Sequence, residues 1–209
     1  MKTPLHGLYA ITPQYDETQT LLAAVEQAIL GGATIVQYRD KSTNSRRRLE
    51  QAGALATLCR RYHTLFLVND DIELALACDA QGVHLGRNDQ SLAAARRRLG
   101  ADAIIGASCY NRLTLALQAQ DQGANYVAFG SFFPSAVKPD AVRAELRLLA
   151  EAKRRLTVPV AAIGGILPQN AAPLITHGAD MLAVISGLFD QHDIKSSAQA
   201  FCAPFNPEE

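Results

Sequence analysis

Eight short apolar runs alternate with longer segments of helical period along the chain. The runs have the length and composition of buried strands, whereas the segments between them repeat apolar residues every three or four positions, as amphipathic helices do. Several of the runs end in a polar or glycine-rich cluster. The predicted strands lie at about residues 8–12, 34–38, 64–69, 82–86, 104–108, 126–130, 158–164 and 181–186.

The junctions between helices and strands repeat as well. Gly-Gly-Ala-Thr (31–34), Gln-Gly-Ala-Asn (122–125) and His-Gly-Ala-Asp (177–180) each join a helix end to a strand start, where glycine suits a left-handed cap. Strands that alternate with helices imply right-handed crossovers and a parallel sheet, and eight such units favour a closed barrel over an open sheet. We therefore expect an α/β fold with a single (β/α)8 TIM barrel domain over residues 1–209, with a loose tail from about residue 202. Its active site would lie at the C-terminal ends of the strands.

The amino-acid composition limits the classes of partner that we expect for this protein. The 209 residues include 20 basic and 20 acidic side chains, so no excess charge favours nucleic acid or an anionic membrane. The four cysteines are widely spaced and suggest neither a zinc site nor a disulfide framework. No apolar run approaches the roughly 18 residues of a membrane helix. We expect a cytoplasmic protein that acts on small molecules, with homo-oligomerisation left open.

The second predicted strand ends in a cationic, hydrogen-bonding stripe. Gln37, Arg39 and Lys41 are two residues apart, so they share one face of the strand if it continues to Lys41. At a barrel mouth, Arg and Lys would be costly without an anion, and a diphosphate suits planar Arg donors and a compact Lys charge. The alternative is a salt bridge with Asp40 or a neighbouring acid.

Carboxylates follow the third and fourth strands. Asp70 comes after Asn69 at the end of the third strand, and Asp89 follows the fourth. Two carboxylates on adjacent strand ends suit one shared Mg²⁺ ion. Either Asp70 or Asp71 could instead cap the following helix, and for Asp71 we favour that role. His84 lies inside a strand, where packing in the core is more common than a role as a base.

Two further strand ends suit an anion. The sixth strand leads into a longer loop with Ser131, Ser135 and Lys138, which is typical of an active-site flap. Gly164 and Gly165 follow the seventh strand, at a position where barrels commonly bind phosphate through loop amides and a short helix N-terminus.

Together these motifs resemble the thiamine-phosphate synthase family over almost the whole chain. The resemblance runs from Leu-Tyr-Ala-Ile-Thr (8–12) to Val-Ile-Ser-Gly-Leu-Phe (184–189). The family pattern Q-x-R-x-K is matched by Gln37, Arg39 and Lys41. The pattern N-D, followed by H-L-G-x-x-D, is matched by Asn69, Asp70 and Asp89.

The resemblance implies three sets of site residues. The aminomethylpyrimidine diphosphate substrate would contact Gln37, Tyr38, Arg39, Asp40, Lys41, Asn69, Ser108 and Lys138. The thiazole phosphate would contact Ser135, Ala136, Val137, Gly165, Ile185 and Ser186. The cofactor Mg²⁺ would bind Asp70 and Asp89.

One position departs from the family pattern. The family's loop usually reads P-T-x-T-K, whereas this chain has Pro134, Ser135, Ala136, Val137 and Lys138. Val137 lacks a hydroxyl, so one expected hydrogen bond to a charged oxygen must come from backbone amides or water. The departure puts that contact in doubt but not the reaction.

The reaction implied by the resemblance transfers the 4-amino-2-methylpyrimidin-5-ylmethyl group from diphosphate to the thiazole nitrogen, through a carbocation-like centre. Arg39, Lys41 and Lys138 would stabilise the leaving group, and no single nucleophile or acid/base is expected. A thiazole tautomerase-like paralogue is a rival, although the fifth strand ends in Ala-Ser-Cys-Tyr-Asn (107–111), without a histidine. A non-catalytic binding protein and a Schiff-base aldolase remain further alternatives.

Overall fold

A closed barrel of eight parallel strands forms the centre of the computed structural model, which describes residues 5–86, 91–134 and 142–205. Each strand pairs with its neighbours in chain order, and the first strand closes the ring by pairing with the eighth. The predicted (β/α)8 barrel is therefore confirmed. The strands are β1 (Gly7–Ile11), β2 (Ile35–Tyr38), β3 (Leu65–Asn69), β4 (Gly82–Leu85), β5 (Ile104–Tyr110), β6 (Tyr126–Phe129), β7 (Val160–Ile163) and β8 (Met181–Val184).

Helices surround the barrel and connect its strands. They are α1 (Thr18–Leu30), α2 (Ser45–Arg61), α3 (Ile72–Ala77), α4 (Leu92–Leu99), α5 (Leu113–Asp121), α6 (Leu146–Arg155), α7 (Pro168–Thr176), α8 (Ser186–Phe189) and α9 (Ile194–Cys202), followed by a short 3-10 helix (Ala203–Phe205). In the described part of the chain, no helix is both long and apolar enough to cross a membrane.

Strand alternation divides the core into two layers. Residues that point outward, such as Leu8, Val36 and Phe66, pack against the helices. Residues that point inward, such as Ile35, Leu67 and Met181, fill the lower part of the barrel. On β2 to β5, the inward residues nearest the carboxyl ends are polar and line a cavity at the end of the barrel where active sites of this fold lie.

The predicted glycine caps form as expected. Gly32, Gly123 and Gly178 all have positive φ angles, of 108°, 86° and 107°. The similar segment Ala-Gln-Gly-Val (80–83) differs from these caps, because Gly82 begins β4 and a Cβ there would lie 1.8 Å from the Ile104 carbonyl oxygen. Gly82 is thus required by the close approach of β5, not by a helix cap.

The predicted loose tail includes residues that the structure packs against the barrel. Residues 203–205 form the short 3-10 helix. The Phe205 ring lies edge-on to His6, with 4.9 Å between ring centroids. An aromatic side chain explains this, because it buries apolar area even near a chain end.

Candidate functional site

A cavity of about 350 Å³ opens at the carboxyl ends of the strands. It is lined by inward-facing strand residues and by the loops that follow them. The lining residues are Tyr9, Ile11, Gln37, Arg39, Asn69, His84, Ser108, Tyr110, Ala128, Gly130, Ser131, Val142, Ile163, Gly164, Ala183 and Ile185.

The end of β2 brings two of the predicted residues into this cavity. Gln37 is buried and donates through its amide nitrogen to the Tyr9 hydroxyl. The strand ends at Tyr38, but the backbone N–H of Arg39 donates to Thr12 Oγ1 at 3.0 Å, which keeps Arg39 on the cavity side. Within the described residues, the Arg39 guanidinium makes no hydrogen bond or ion pair. An arginine held at a cavity in this way suits an anionic ligand.

Tyr38 and Asp40 lie on the opposite, outward side of the strand end. The single hydroxyl hydrogen of Tyr38 is shared between Gln51 Oε1 at 2.9 Å and Asp40 Oδ2 at 3.3 Å. Asp40 also accepts from the Ser42 backbone N–H at 2.7 Å and from Arg47 at 3.2 Å. Neither residue lines the main cavity. They join the strand end to α2 and so hold the loop that carries Arg39.

Burial and hydrogen bonding act in opposite directions on Asp40. Burial alone would raise the pKa of its carboxyl group. The hydrogen bonds from Ser42 and the Arg47 guanidinium outweigh that effect and lower the pKa below its ordinary value. Asp40 therefore stays ionised and holds the loop through charge-assisted hydrogen bonds.

Lys41, Asn69 and Asp70 meet at the rim of the cavity. Asp70 accepts hydrogen bonds from the Lys41 ammonium and from Asn69 Nδ2, the latter at 2.6 Å. Lys41 and Asp70 line an adjoining polar pocket of about 380 Å³, and Asn69 lines both pockets. The alternative of an ion pair with a neighbouring acid thus applies to Lys41. Because β2 ends at Tyr38, Lys41 leaves the strand face and reaches toward the end of β3.

Asp71 has the structural role expected from the sequence. Its side chain accepts from the backbone N–H of Leu74 at 2.9 Å and caps α3. It also pairs with Arg48 at 2.7 Å. The predicted helix cap is confirmed, and Asp70 is left at the cavity rim with a positive φ of 63°.

His84 and Ser108 lie side by side on the floor of the cavity. His84 Nε2 is 2.8 Å from Ser108 Oγ, and His84 Nδ1 is 2.9 Å from the Tyr126 hydroxyl. His84 is buried, in agreement with its prediction as a packed residue. It nevertheless lines the cavity, because position 84 points into the barrel and not toward the helices.

The seventh and eighth strand ends form the small-residue side of the cavity. Gly164 and Gly165 have positive φ angles of 104° and 62°, and a Cβ on Gly165 would lie 2.2 Å from the Pro134 carbonyl oxygen. Gly164 and Ile185 line the cavity, whereas Gly165 packs beneath the loop after β6. Ser186 is the first residue of α8.

The remaining predicted site residues lie outside the described ranges. They are Asp89, Ser135, Ala136, Val137 and Lys138. In residues 5–86, 91–134 and 142–205, no three His, Cys, Asp or Glu side chains form a cluster able to hold a metal ion.

Asp70 fits the requirements of Mg²⁺ within this site. Magnesium commonly takes one or two protein carboxylates and completes its coordination with water and phosphate oxygens. The Asp70 carboxylate lies at the rim and already contacts one cation, the Lys41 ammonium. Its position therefore accepts positive charge next to the cavity.

Two tyrosines on the cavity floor are absent from the residues predicted from the sequence. Tyr9 and Tyr126 are buried, and their hydroxyl oxygens lie 2.7 Å apart across the barrel. The signal available in the sequence was strand alternation: Tyr126 is four residues before Gly130, and Tyr9 is two before Ile11, so both face the lumen. Burial raises the pKa of both phenols above the ordinary tyrosine value.

The fold and the site define a (β/α)8-barrel protein with a cavity of small-molecule size at the carboxyl ends of its strands, where polar side chains project from a largely apolar lining. A family model described as thiamine monophosphate synthase matches residues 8–188. The chain belongs to this family.

Individual relatives match over nearly the full length. A thiamine-phosphate synthase from Methylobacillus flagellatus is 52% identical over 203 residues, covering 97% of each chain. One from Thiobacillus denitrificans is 52% identical over 211 residues, covering 100% of each. Among solved structures, a thiamine phosphate pyrophosphorylase from Pyrococcus furiosus superposes with a TM-score of 0.83 at 35% identity, covering 93% of each chain.

Proposed function

We propose that this chain is a Mg²⁺-dependent thiamine-phosphate synthase. It transfers the 4-amino-2-methylpyrimidin-5-ylmethyl group from its diphosphate to the ring nitrogen of thiazole phosphate and releases diphosphate. The observation that carries this proposal is the grouping of Gln37, Arg39, Asn69 and Ser108 around one cavity in a chain of this family. A partly buried arginine and neutral hydrogen-bonding groups suit an aromatic ring that carries a diphosphate.

In this proposal the pyrimidine diphosphate occupies the β2 to β5 side of the cavity. Arg39 offers planar bidentate donors to the diphosphate, and Lys41 and Lys138 supply compact charges. Asn69, Ser108 and Gln37 hydrogen-bond the ring or its substituents. Tyr38 and Asp40 contribute from the outward side, because their bonds to Gln51 and Arg47 hold the Arg39 loop.

The thiazole phosphate would lie on the opposite side, along the seventh and eighth strand ends. Gly165, Ile185 and Ser186 offer backbone amides there, and Ser135, Ala136 and Val137 belong to the loop after β6. Amides approach a phosphate closely where side chains are small. In this arrangement the acceptor nitrogen would face the methylene carbon that bears the diphosphate in the first substrate.

Mg²⁺ would be held by Asp70 together with Asp89. When bound, the ion neutralises negative charge on the departing diphosphate. Arg39, Lys41 and Lys138 would stabilise the same charge as it develops, which favours a dissociative, carbocation-like substitution. No nucleophilic side chain is needed. His84 and Ser108 bond to each other, but the second nitrogen of His84 contacts a phenol, Tyr126.

Turnover with both substrates is the direct test. Purified protein with the pyrimidine diphosphate, thiazole phosphate and Mg²⁺ should form thiamine phosphate and diphosphate in equal amounts, and EDTA should stop the reaction. Binding of either substrate without turnover would favour a non-catalytic binding protein. Isomerisation of a thiazole substrate without diphosphate release would favour a tautomerase. Borohydride inactivation would favour a Schiff-base aldolase.

Three broader proposals accompany the activity. We propose that the 209 residues form one domain and that the protein works in the cytoplasm. Its balanced charge supports small-molecule substrates and not nucleic acid or membranes as partners. Sedimentation of the purified protein would determine whether it forms a homo-oligomer.

A further inference from the structure

A continuous chain of hydrogen bonds crosses the floor of the cavity. It runs from Gln37 through Tyr9, Tyr126 and His84 to Ser108; we call these five residues the floor relay. The distances along it are 2.7 Å between the two phenol oxygens, 2.9 Å from Tyr126 to His84 Nδ1, and 2.8 Å from His84 Nε2 to Ser108 Oγ. Gln37, Tyr9 and Tyr126 are at most 2% exposed, and His84 is 8% exposed.

The orientation of the Gln37 amide, whose nitrogen faces the Tyr9 hydroxyl, sets the direction of the floor relay. The Gln37 amide nitrogen can only donate, so the Tyr9 oxygen accepts there. Tyr9 has one hydrogen to give, and its remaining partner is Tyr126. Tyr126 must then donate to His84 Nδ1. Any other arrangement faces two hydrogens toward each other or leaves a buried hydroxyl without an acceptor, which is costly.

This direction determines the tautomer of His84. Because Nδ1 accepts from Tyr126, the single hydrogen of the neutral imidazole lies on Nε2. Nε2 then donates to Ser108 Oγ. The Ser108 hydroxyl hydrogen is left over, and Ser108 lines the cavity.

The floor relay favours neutral groups throughout. Burial raises the pKa of Tyr9 and Tyr126, so both phenols stay protonated. An imidazolium at His84 would place a hydrogen on Nδ1 and reverse the direction up to Gln37. The Tyr9 O–H and the Gln37 amide N–H would then point at each other, so that two donors would face each other without an acceptor.

We propose that the floor relay makes Ser108 a hydrogen-bond donor toward the substrate, so that Ser108 pairs with a ring nitrogen of the aminopyrimidine and not with its amino group. Tyr9, Tyr126 and His84 are positioning residues in this account, because they act on the ligand through Ser108. The identity of the ligand rests on the proposed function, whereas the direction of the relay does not.

Nitrogen NMR of the imidazole rings tests the direction without any turnover. In wild-type protein labelled with ¹⁵N-histidine, the His84 signals should show a protonated Nε2 and an unprotonated Nδ1. The chain has five histidines, so His84→Gln identifies the signals by their loss. An Nδ1–H tautomer or an imidazolium at pH 8 would overturn the proposal.

Two variants probe the source of the direction. Gln37→Glu replaces the amide donor with an isosteric acceptor, so at pH 8 every bond should reverse and His84 should become the Nδ1–H tautomer. Tyr126→Phe removes the donor to Nδ1 and should give a mixture of tautomers. If both variants keep the wild-type tautomer, Gln37 and Tyr126 do not set it and the relay account is wrong.

Substrate analogues test the ligand contact. Two pyridine analogues of the pyrimidine diphosphate each replace one ring nitrogen with C–H. Ser108→Ala should lower kcat/KM about tenfold with the natural substrate. With one analogue, Ser108→Ala should lower kcat/KM by the same factor. With the other analogue, which already lacks the contacted nitrogen, the substitution should lower kcat/KM less than about twofold. Equal losses with both analogues would show that Ser108 contacts neither ring nitrogen and would overturn the pairing.

The outcomes separate this inference from the proposed function. A protein with the expected His84 tautomer but no turnover would refute the synthase activity and the ring-nitrogen contact, and would leave the relay direction standing. A protein with full turnover but the opposite tautomer would refute the relay alone.

Discussion

The Arg47 guanidinium lies 3.2 Å from the buried carboxylate of Asp40, beneath the loop that carries Arg39. Arg47 also reaches Asp16 at 2.6 Å, but that carboxylate is 85% exposed. The two contacts contribute differently to stability, because water and salt screen an exposed ion pair and screen a buried one much less. The loop that carries Arg39 is therefore held to α2 by the contact between Asp40 and Arg47.

Asp40→Asn should lower the free energy of unfolding by about 1–3 kcal/mol at pH 7, because a buried charge-assisted bond is lost. The folded-state pKa of Asp40 lies below its unfolded value, which is about 3.9. Its contribution is therefore present above about pH 4 and is lost as the pH falls through the folded-state pKa.

Urea unfolding at pH 7, 5 and 3 measures this effect. The difference between wild type and Asp40→Asn should be similar at pH 7 and 5, and smaller at pH 3. Asp16→Asn is the control and should change stability by less than about 0.5 kcal/mol. A difference that grows as the pH falls would contradict the assignment.

The neighbouring residues Asp70 and Asp71 allow a matched test of metal binding. Asp70→Asn should reduce turnover by on the order of hundredfold and raise the Mg²⁺ concentration needed for half-maximal rate, because the carboxylate ligand is lost. Asp71→Asn should leave both quantities near wild type, since asparagine still caps α3. Mg²⁺ titrations of the two variants check this; equal metal dependence in both would rule out Asp70 as a ligand.

Arg39→Gln should lower kcat as well as raise KM for the pyrimidine diphosphate, with a loss in kcat/KM on the order of hundredfold. In the proposed reaction this contact would strengthen as charge develops on the leaving group. Arg46→Gln, on the exposed face of α2, should behave as wild type. Steady-state kinetics with each substrate varied in turn measures kcat and the KM for each substrate. A change confined to KM for thiazole phosphate would place Arg39 on the other substrate.

Gly106→Ala should destabilise the protein by about 1–3 kcal/mol, because the added methyl group overpacks the barrel lumen. A Cβ at this position would lie 2.1 Å from Tyr126 Cζ. Gly53 lies within α2 and has no atom within 4 Å of a built Cβ, so Gly53→Ala should stabilise by about 0.5–1 kcal/mol. Urea unfolding of both variants measures the contrast, and a neutral Gly106→Ala would mean that Tyr126 can move aside.

The barrel could be predicted from the sequence because its signal is repeated eight times and chain order alone gives the strand order. Parts of the site could also be predicted from the sequence. Strand alternation places Gln37 inward, and the same alternation places Tyr38 outward, whereas the resemblance to the family treats residues 37–41 as one block.

Other contacts depend on three-dimensional detail that the sequence does not carry. Lys41 meets Asp70 because β2 stops at Tyr38 and Asp70 adopts a positive φ. The Tyr9–Tyr126 bond joins residues 117 positions apart. Its existence depends on the width of the lumen and on the space that Gly106 leaves.

The floor relay also has a consequence for how the barrel comes apart. Of its four hydrogen bonds, only Gln37–Tyr9 lies within the β1–β4 half, while the other three join that half to β5 or β6. A half-barrel fragment would expose phenol, imidazole and hydroxyl groups that find partners only in the other half. The two halves should therefore unfold in a single cooperative step, and the most protected amides should include those of β1 and β6 together.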